Sequence, residues 1–92
     1  RYMAHIEYTE VSRRLARIEG QVRGVNEMVR SDRECEDIMV QLSSISSAVT
    51  QVARLVLTQH LEHCVVDGIK SGDEEATVAN LKKVVEQFAK MK

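Results

Sequence analysis

Residues 35–64, CEDIMVQLSSISSAVTQVARLVLTQHLEHC, contain both cysteines of the chain and two of its three histidines, His60 and His63. No proline or glycine lies between Arg33 and Val66, so nothing there forces a helix to break. Cys35, Ile38, Leu42, Ile45, Val49, Val52 and Val56 recur at alternating spacings of three and four, which puts Cys35 on a buried seam. Ala53, Leu57, His60 and Cys64 form a neighbouring stripe, with His60 and Cys64 one turn apart on the same face. On a continuous helix rising about 1.5 Å per residue, Cys35 and His60 stand roughly 37 Å apart and cannot meet within one molecule. Two copies paired antiparallel bring Cys35 of one beside His60 and Cys64 of the other. The crossing falls near Ser47–Val49, inside Ser43-Ser44-Ile45-Ser46-Ser47-Ala48, whose small side chains permit close approach. Two-fold symmetry then predicts two identical Cys-His-Cys sites per dimer.

Upstream, Val11, Leu15, Ile18, Val22, Val25 and Val29 repeat at four, three, four, three, four. This predicts an amphipathic helix over 9–30 with Thr9 as its cap. Gly20 and Gly24 lie inside it, and close packing of another helix would offset their low helix propensity. Ser31-Asp32-Arg33-Glu34 matches a capping box opening a second helix over 32–66. Downstream, Gly68 and Gly72 break the pattern, and Ser71-Gly72-Asp73-Glu74 repeats the box ahead of a third helix over 73–91. There Val78, Leu81, Val85 and Phe88 are predicted to face inward, with Lys82, Lys83 and Lys90 outside. Residues 1–92 read as a single domain; Arg1-Tyr2, ahead of Met3, carry none of the argument.

With 92 residues, no proline or tryptophan and one phenylalanine, the chain fits an all-α class with an aliphatic core, small enough to need an oligomeric partner. Its net charge of −1 argues neither for nor against nucleic acid. The absence of a membrane-length apolar run and of a signal-peptide pattern predicts a soluble, cytoplasmic protein. In a reducing compartment a thiol pair near a histidine reads as a ligand set ahead of a disulfide. With no clustered acid–base pair, glycine-rich phosphate loop or nucleophile–base constellation, an enzyme is not expected.

Two thiolates and one imidazole suit a soft ion, trigonal Cu(I) ahead of four-coordinate Zn(II), with Ni(II) as a further candidate. The residues alone leave open the plainer alternative of two cysteines acting as small hydrophobes beside a surface histidine. His63 projects away from Cys64, and His5, ahead of the first helix, is a possible extra ligand. Arg13, Arg14 and Arg17 share a surface that could grip phosphates, or could be a solvated face paired with Glu10 and Glu19. No helix-turn-helix, finger or basic-zipper pattern accompanies them.

Three segments carry a resemblance: Arg14-Leu15-Ala16-Arg17-Ile18-Glu19-Gly20-Gln21-Val22-Arg23-Gly24-Val25, Asp32-Arg33-Glu34-Cys35-Glu36-Asp37-Ile38, and His60-Leu61-Glu62-His63-Cys64-Val65. In order and spacing, from about Ser12 onward, they resemble the copper-sensing repressor (CsoR-type) family. That family also includes nickel/cobalt, formaldehyde and persulfide sensors. The resemblance implies a three-helix protomer, an antiparallel four-helix-bundle dimer and a dimer-of-dimers homotetramer. It implies a repressor that binds double-stranded operator DNA when apo and releases it on binding its effector. By resemblance Cys35 of one subunit with His60 and Cys64 of the other are the copper-branch ligands. Three positions depart from the copper sensors' pattern. Glu34 stands where they have tyrosine, and Asn80 where they have a relay glutamate. Ser46 and Thr50 stand where a basic residue is usual, which leaves Arg54 as the nearby cation and moves DNA contact toward Arg13, Arg14 and Arg17. Nickel sensing, with His5 close to the position held here by Met3, is one alternative effector. A sulfur species acting through cysteine persulfidation and a Cys35–Cys64 crosslink, with no metal, is another. A helical copper-buffering protein that never touches DNA is the alternative from a different class.

Overall fold

The computed structural model describes residues 8–91. They form three helices, α1 (Tyr8–Arg30), α2 (Cys35–Ser71) and α3 (Glu74–Ala89), with no strand among the described residues. Two compact units divide the chain, one over Thr9–Val52 and one from Ala53 onward. In the first, α1 folds back on the first half of α2 and buries Val11, Ile18 and Val52. In the second, the rest of α2 pairs with α3 and buries Cys64 and His60.

Both predicted capping boxes resolve differently. Ser31 closes α1 and does not open α2. Its N–H bonds Glu27 O at 2.9 Å, and its hydroxyl donates to the Glu27 carbonyl at 2.9 Å and the Met28 carbonyl at 3.3 Å. Asp32 N–H then reaches Val29 O and Arg33 N–H reaches Met28 O, a Schellman turn with Asp32 at φ 63° in the place glycine usually takes. Aspartate tolerates that left-handed conformation better than most residues. The α2 helix therefore starts at Cys35, and the Glu34 carbonyl accepts its first bond, from Ile38 N–H at 3.2 Å. At the second junction Asp73 is the cap, its carboxylate accepting from Ala76 N–H at 3.3 Å, while Ser71 Oγ donates back to Gly68 O. Thr9 already lies inside α1, and the residues before Tyr8 fall outside the described chain.

The second helix also runs five residues past its predicted end. Gly68 does not break it but is a contact point: a Cβ built there would lie 2.8 Å from Thr77 Cγ2 and 2.9 Å from Thr77 Cβ. Missing that methyl lets α3 approach α2. Gly72, at φ 73°, is the residue that ends α2, its N–H returning to Gly68 O at 3.0 Å. Gly20 and Gly24 show no comparable approach, since a Cβ at Gly20 would meet only Arg23 at 4.0 Å and one at Gly24 nothing.

The inward row of α3 is also rotated from the predicted one. Val78 and Val85 are exposed, at 56% and 46%. Thr77, Asn80 and Val84 face α2 in their place, together with Phe88 of the predicted row, and Val84 and Phe88 line an apolar groove of about 360 Å³ with Ala53, Val56 and Leu57. Threonine and asparagine on that row hid it from a reading based on hydrophobicity. Leu15, Val22 and Val29 of α1 and Leu42 and Val49 of α2, all on the predicted seams, are exposed in the single chain. No described helix is long and apolar enough to cross a membrane.

Candidate metal and nucleic-acid sites

Cys64 is 1% exposed and His60 9%, on consecutive turns of α2 facing α3. Asn80 reaches between them from α3. Its Oδ1 lies 2.8 Å from His60 Nε2 and accepts from Cys64 Sγ at 3.6 Å. One carboxamide oxygen thus lies against both side chains. Cys35, predicted to be buried on the seam, is exposed. It is the first residue of α2. His63 is exposed. His5 lies outside the described residues. Among those described, no group of three or more His, Cys, Asp or Glu side chains comes together within one chain.

The arginine cluster is half paired. Glu10 accepts from Arg13 Nη2 and, at 2.7 Å, from Arg14 Nε, while Glu19 and Arg17 join no ion pair among the described residues. Arg54 is exposed on α2. Beside the cluster, Arg14, Arg17, Ile18 and Gln21 of α1 and Ala48 of α2 line a cleft of about 160 Å³. Gln21 Oε1 is buried without a hydrogen-bond partner among the described residues. Sequence reading passed over Gln21, although its spacing of seven from Arg14 and four from Arg17 puts it on their face.

The hydrogen bond from Arg13, and after it that from Arg14, holds the Glu10 carboxyl below the usual glutamate range. A group with a depressed folded pKa contributes stability that is fully present above its unfolded pKa and lost as pH falls through the folded one. The first turns of α1 are therefore expected to loosen only on acidification below the ordinary glutamate range. Carbon-detected NMR titration of the Glu10 carboxyl checks this; an ordinary midpoint would mean that the two arginines are not held in solution.

Over residues 7–89 the sequence matches the family described as metal-sensitive transcriptional repressor. It is 48% identical over 84 residues to the copper-sensing transcriptional repressor CsoR of Bacillus subtilis (strain 168), covering 91% of this chain and 83% of the relative. Its fold is similar to the Cu(I)-bound copper-sensing repressor CsoR of Geobacillus thermodenitrificans NG80-2, with TM-score 0.83 and 46% identity over 90% of this chain and 86% of that one. It is similar as well to the nickel-responsive transcriptional regulator InrS, with TM-score 0.84 and 33% identity over 91% of this chain and 94% of that one. The chain belongs to the metal-sensitive transcriptional repressors.

Proposed function

We propose that the chain is a cytoplasmic copper-sensing repressor that binds operator DNA when apo and lets go when Cu(I) binds Cys35 of one subunit with His60 and Cys64 of the other. The observation that carries the reading is the buried His60–Cys64 pair on a helix that runs unbroken back to Cys35. The donor chemistry fits the ion: two sulfurs and an imidazole form a soft set suited to Cu(I). With Nε2 engaged by Asn80, His60 would bind through Nδ1, the usual arrangement in which a ligand histidine's other nitrogen is tied down. Cu(I), when bound, supplies bonds between helix ends of two subunits. The family's antiparallel dimer, paired into a tetramer, supplies the geometry this requires.

The protein's own part is positioning. Asn80 ties the His60–Cys64 turn to α3, so a change at the ligands is passed to a second helix. Glu34, where the copper sensors have tyrosine, gives α2 its first backbone acceptor and keeps its side chain exposed. Arg13, Arg14, Arg17 and Arg54 are the proposed phosphate contacts. A hundredfold release of DNA requires a coupling of about 2.7 kcal/mol, and reciprocity makes DNA weaken copper binding by the same factor.

The test is an anaerobic Cu(I) titration of the apo-protein against a competing chelator, following the ultraviolet thiolate-to-copper band, with and without a GC-rich inverted-repeat duplex. Saturation at about one copper per protomer, weakened by the duplex, is the expected result. Equal affinity in both conditions would sink the mechanism. The likeness to InrS keeps Ni(II) as the second reading, and tighter binding of nickel than copper under the same competition would favour it.

A further inference from the structure

Among the described residues the only buried side-chain oxygen or nitrogen without a partner is Gln21 Oε1, and Gln21 lines the cleft that Arg14 and Arg17 border. The two ends of a carboxamide are nearly equal in size, so turning the group over swaps the stranded acceptor for two N–H donors. The polar groups bounding the cleft are then all donors, two guanidiniums and an amide. Ala48, on the facing helix, adds only a methyl, which leaves the space open. Glu10 is bonded to Arg14 Nε, while Arg17 has no ion pair among the described residues.

We propose that Arg14, Arg17 and Gln21 form a seat for one phosphate group of the DNA backbone, with Glu10 as its built-in competitor. This rests on the DNA-binding reading above and adds to it a neutral residue and a carboxylate. Guanidinium forks match phosphate oxygens, and amide N–H groups commonly join them on DNA. Glu10 holds Arg14 in place without a phosphate and gives it up when one arrives. Discrimination follows from that exchange: a weakly held anion does not displace the carboxylate, whereas a duplex that engages several arginines together does.

The experiment uses the full chain, with a GC-rich inverted-repeat duplex followed by fluorescence anisotropy across a salt series and thermal unfolding on the same samples. Gln21→Glu is expected to weaken duplex binding by roughly tenfold or more, measured well below its unfolding midpoint, since a carboxylate repels the phosphate. Gln21→Leu should weaken binding less. Glu10→Gln should strengthen it. Arg17→Ala should reduce the slope of log K on log salt by about 0.9, one phosphate's worth. If Gln21→Glu shifts the midpoint but leaves affinity and salt slope unchanged, Gln21 is structural and the seat is overturned. A second arm follows the Gln21 side-chain NH2 by NMR. Displacement by the duplex but not by inorganic phosphate supports the backbone assignment, whereas displacement by phosphate alone overturns it in favour of a free oxyanion. Failure of the wild-type chain to bind any duplex would sink the DNA-binding reading itself, while the phosphate arm still decides whether the cleft holds an oxyanion.

Discussion

Cys35→Ala protomers mixed with Cys64→Ala protomers are expected to recover copper binding that neither variant shows alone. Each homodimer of either variant lacks one thiolate at both proposed sites. A mixed dimer concentrates both defects in one site and leaves the other with Cys35 from one chain and His60 and Cys64 from the other. Random exchange of equal amounts makes about half the dimers mixed, so the recovered capacity is roughly one copper per four protomers, a quarter of wild type. The effect is large because it is all-or-none against a near-zero background. A ligand set confined to one protomer gives no recovery, and that result would remove the cross-subunit site altogether. The two variants serve the purpose differently. Cys35 is exposed at the start of α2 and its truncation leaves no cavity, whereas Cys64 is 1% exposed and its truncation costs some stability. Thermal midpoints of the separate variants therefore need to be measured before mixing.

Gly68→Ala is expected to be the most damaging single-methyl change in the chain. The new Cβ would overlap Thr77 on α3, an overpacking that costs about 1–3 kcal/mol. Against it stands a gain of about 1 kcal/mol in helix propensity, so the net loss tests whether the contact is as tight as described. Thr77→Ala in the same chain removes the obstructing Oγ1 and Cγ2 but keeps the Cβ at 2.9 Å, and should restore part of the stability. The double-mutant cycle then gives the coupling directly, expected at about 1–2 kcal/mol. Copper binding should follow stability, because the displaced α3 carries Asn80, which orients His60 and Cys64. A Gly68→Ala protein as stable as wild type would mean that α3 does not rest on α2 at this point.

Periodicity made the helices legible because apolar residues at three- and four-residue spacing have few other uses. The chain reversals were less so. Ser31 and Glu34 have the right identities and spacing for a capping box, but the same serine also satisfies the carbonyls at the end of α1, and the structure uses it that way. Gly68 read as a break because sequence cannot distinguish a glycine that ends a helix from one that admits a neighbour. On α3 periodicity places Phe88 correctly but takes Val78 and Val85 for the inward row, because that row includes polar Thr77 and Asn80. At the site, His60 and Cys64 could be placed on one face from spacing alone. The Asn80 bridge required α3 to be docked, and Gln21 stood out only once its carbonyl oxygen was found buried and unpartnered.

The surface of the single chain bears on how much protein a cell must keep. Among the described residues Val11, Ile18, Val52 and Cys64 are the buried hydrophobic ones, while thirteen large apolar side chains, from Leu15 to Met91, stand exposed. In the dimer proposed above, a protomer with so little interior of its own would draw its stability from association, and folding and assembly would share one equilibrium. Copy number would then be part of the sensor: below a threshold set by the dissociation constant of that dimer, dilution would remove repressor without any metal. A promoter under such control would open when copper arrives, and would open as well when synthesis of the repressor lags behind cell growth.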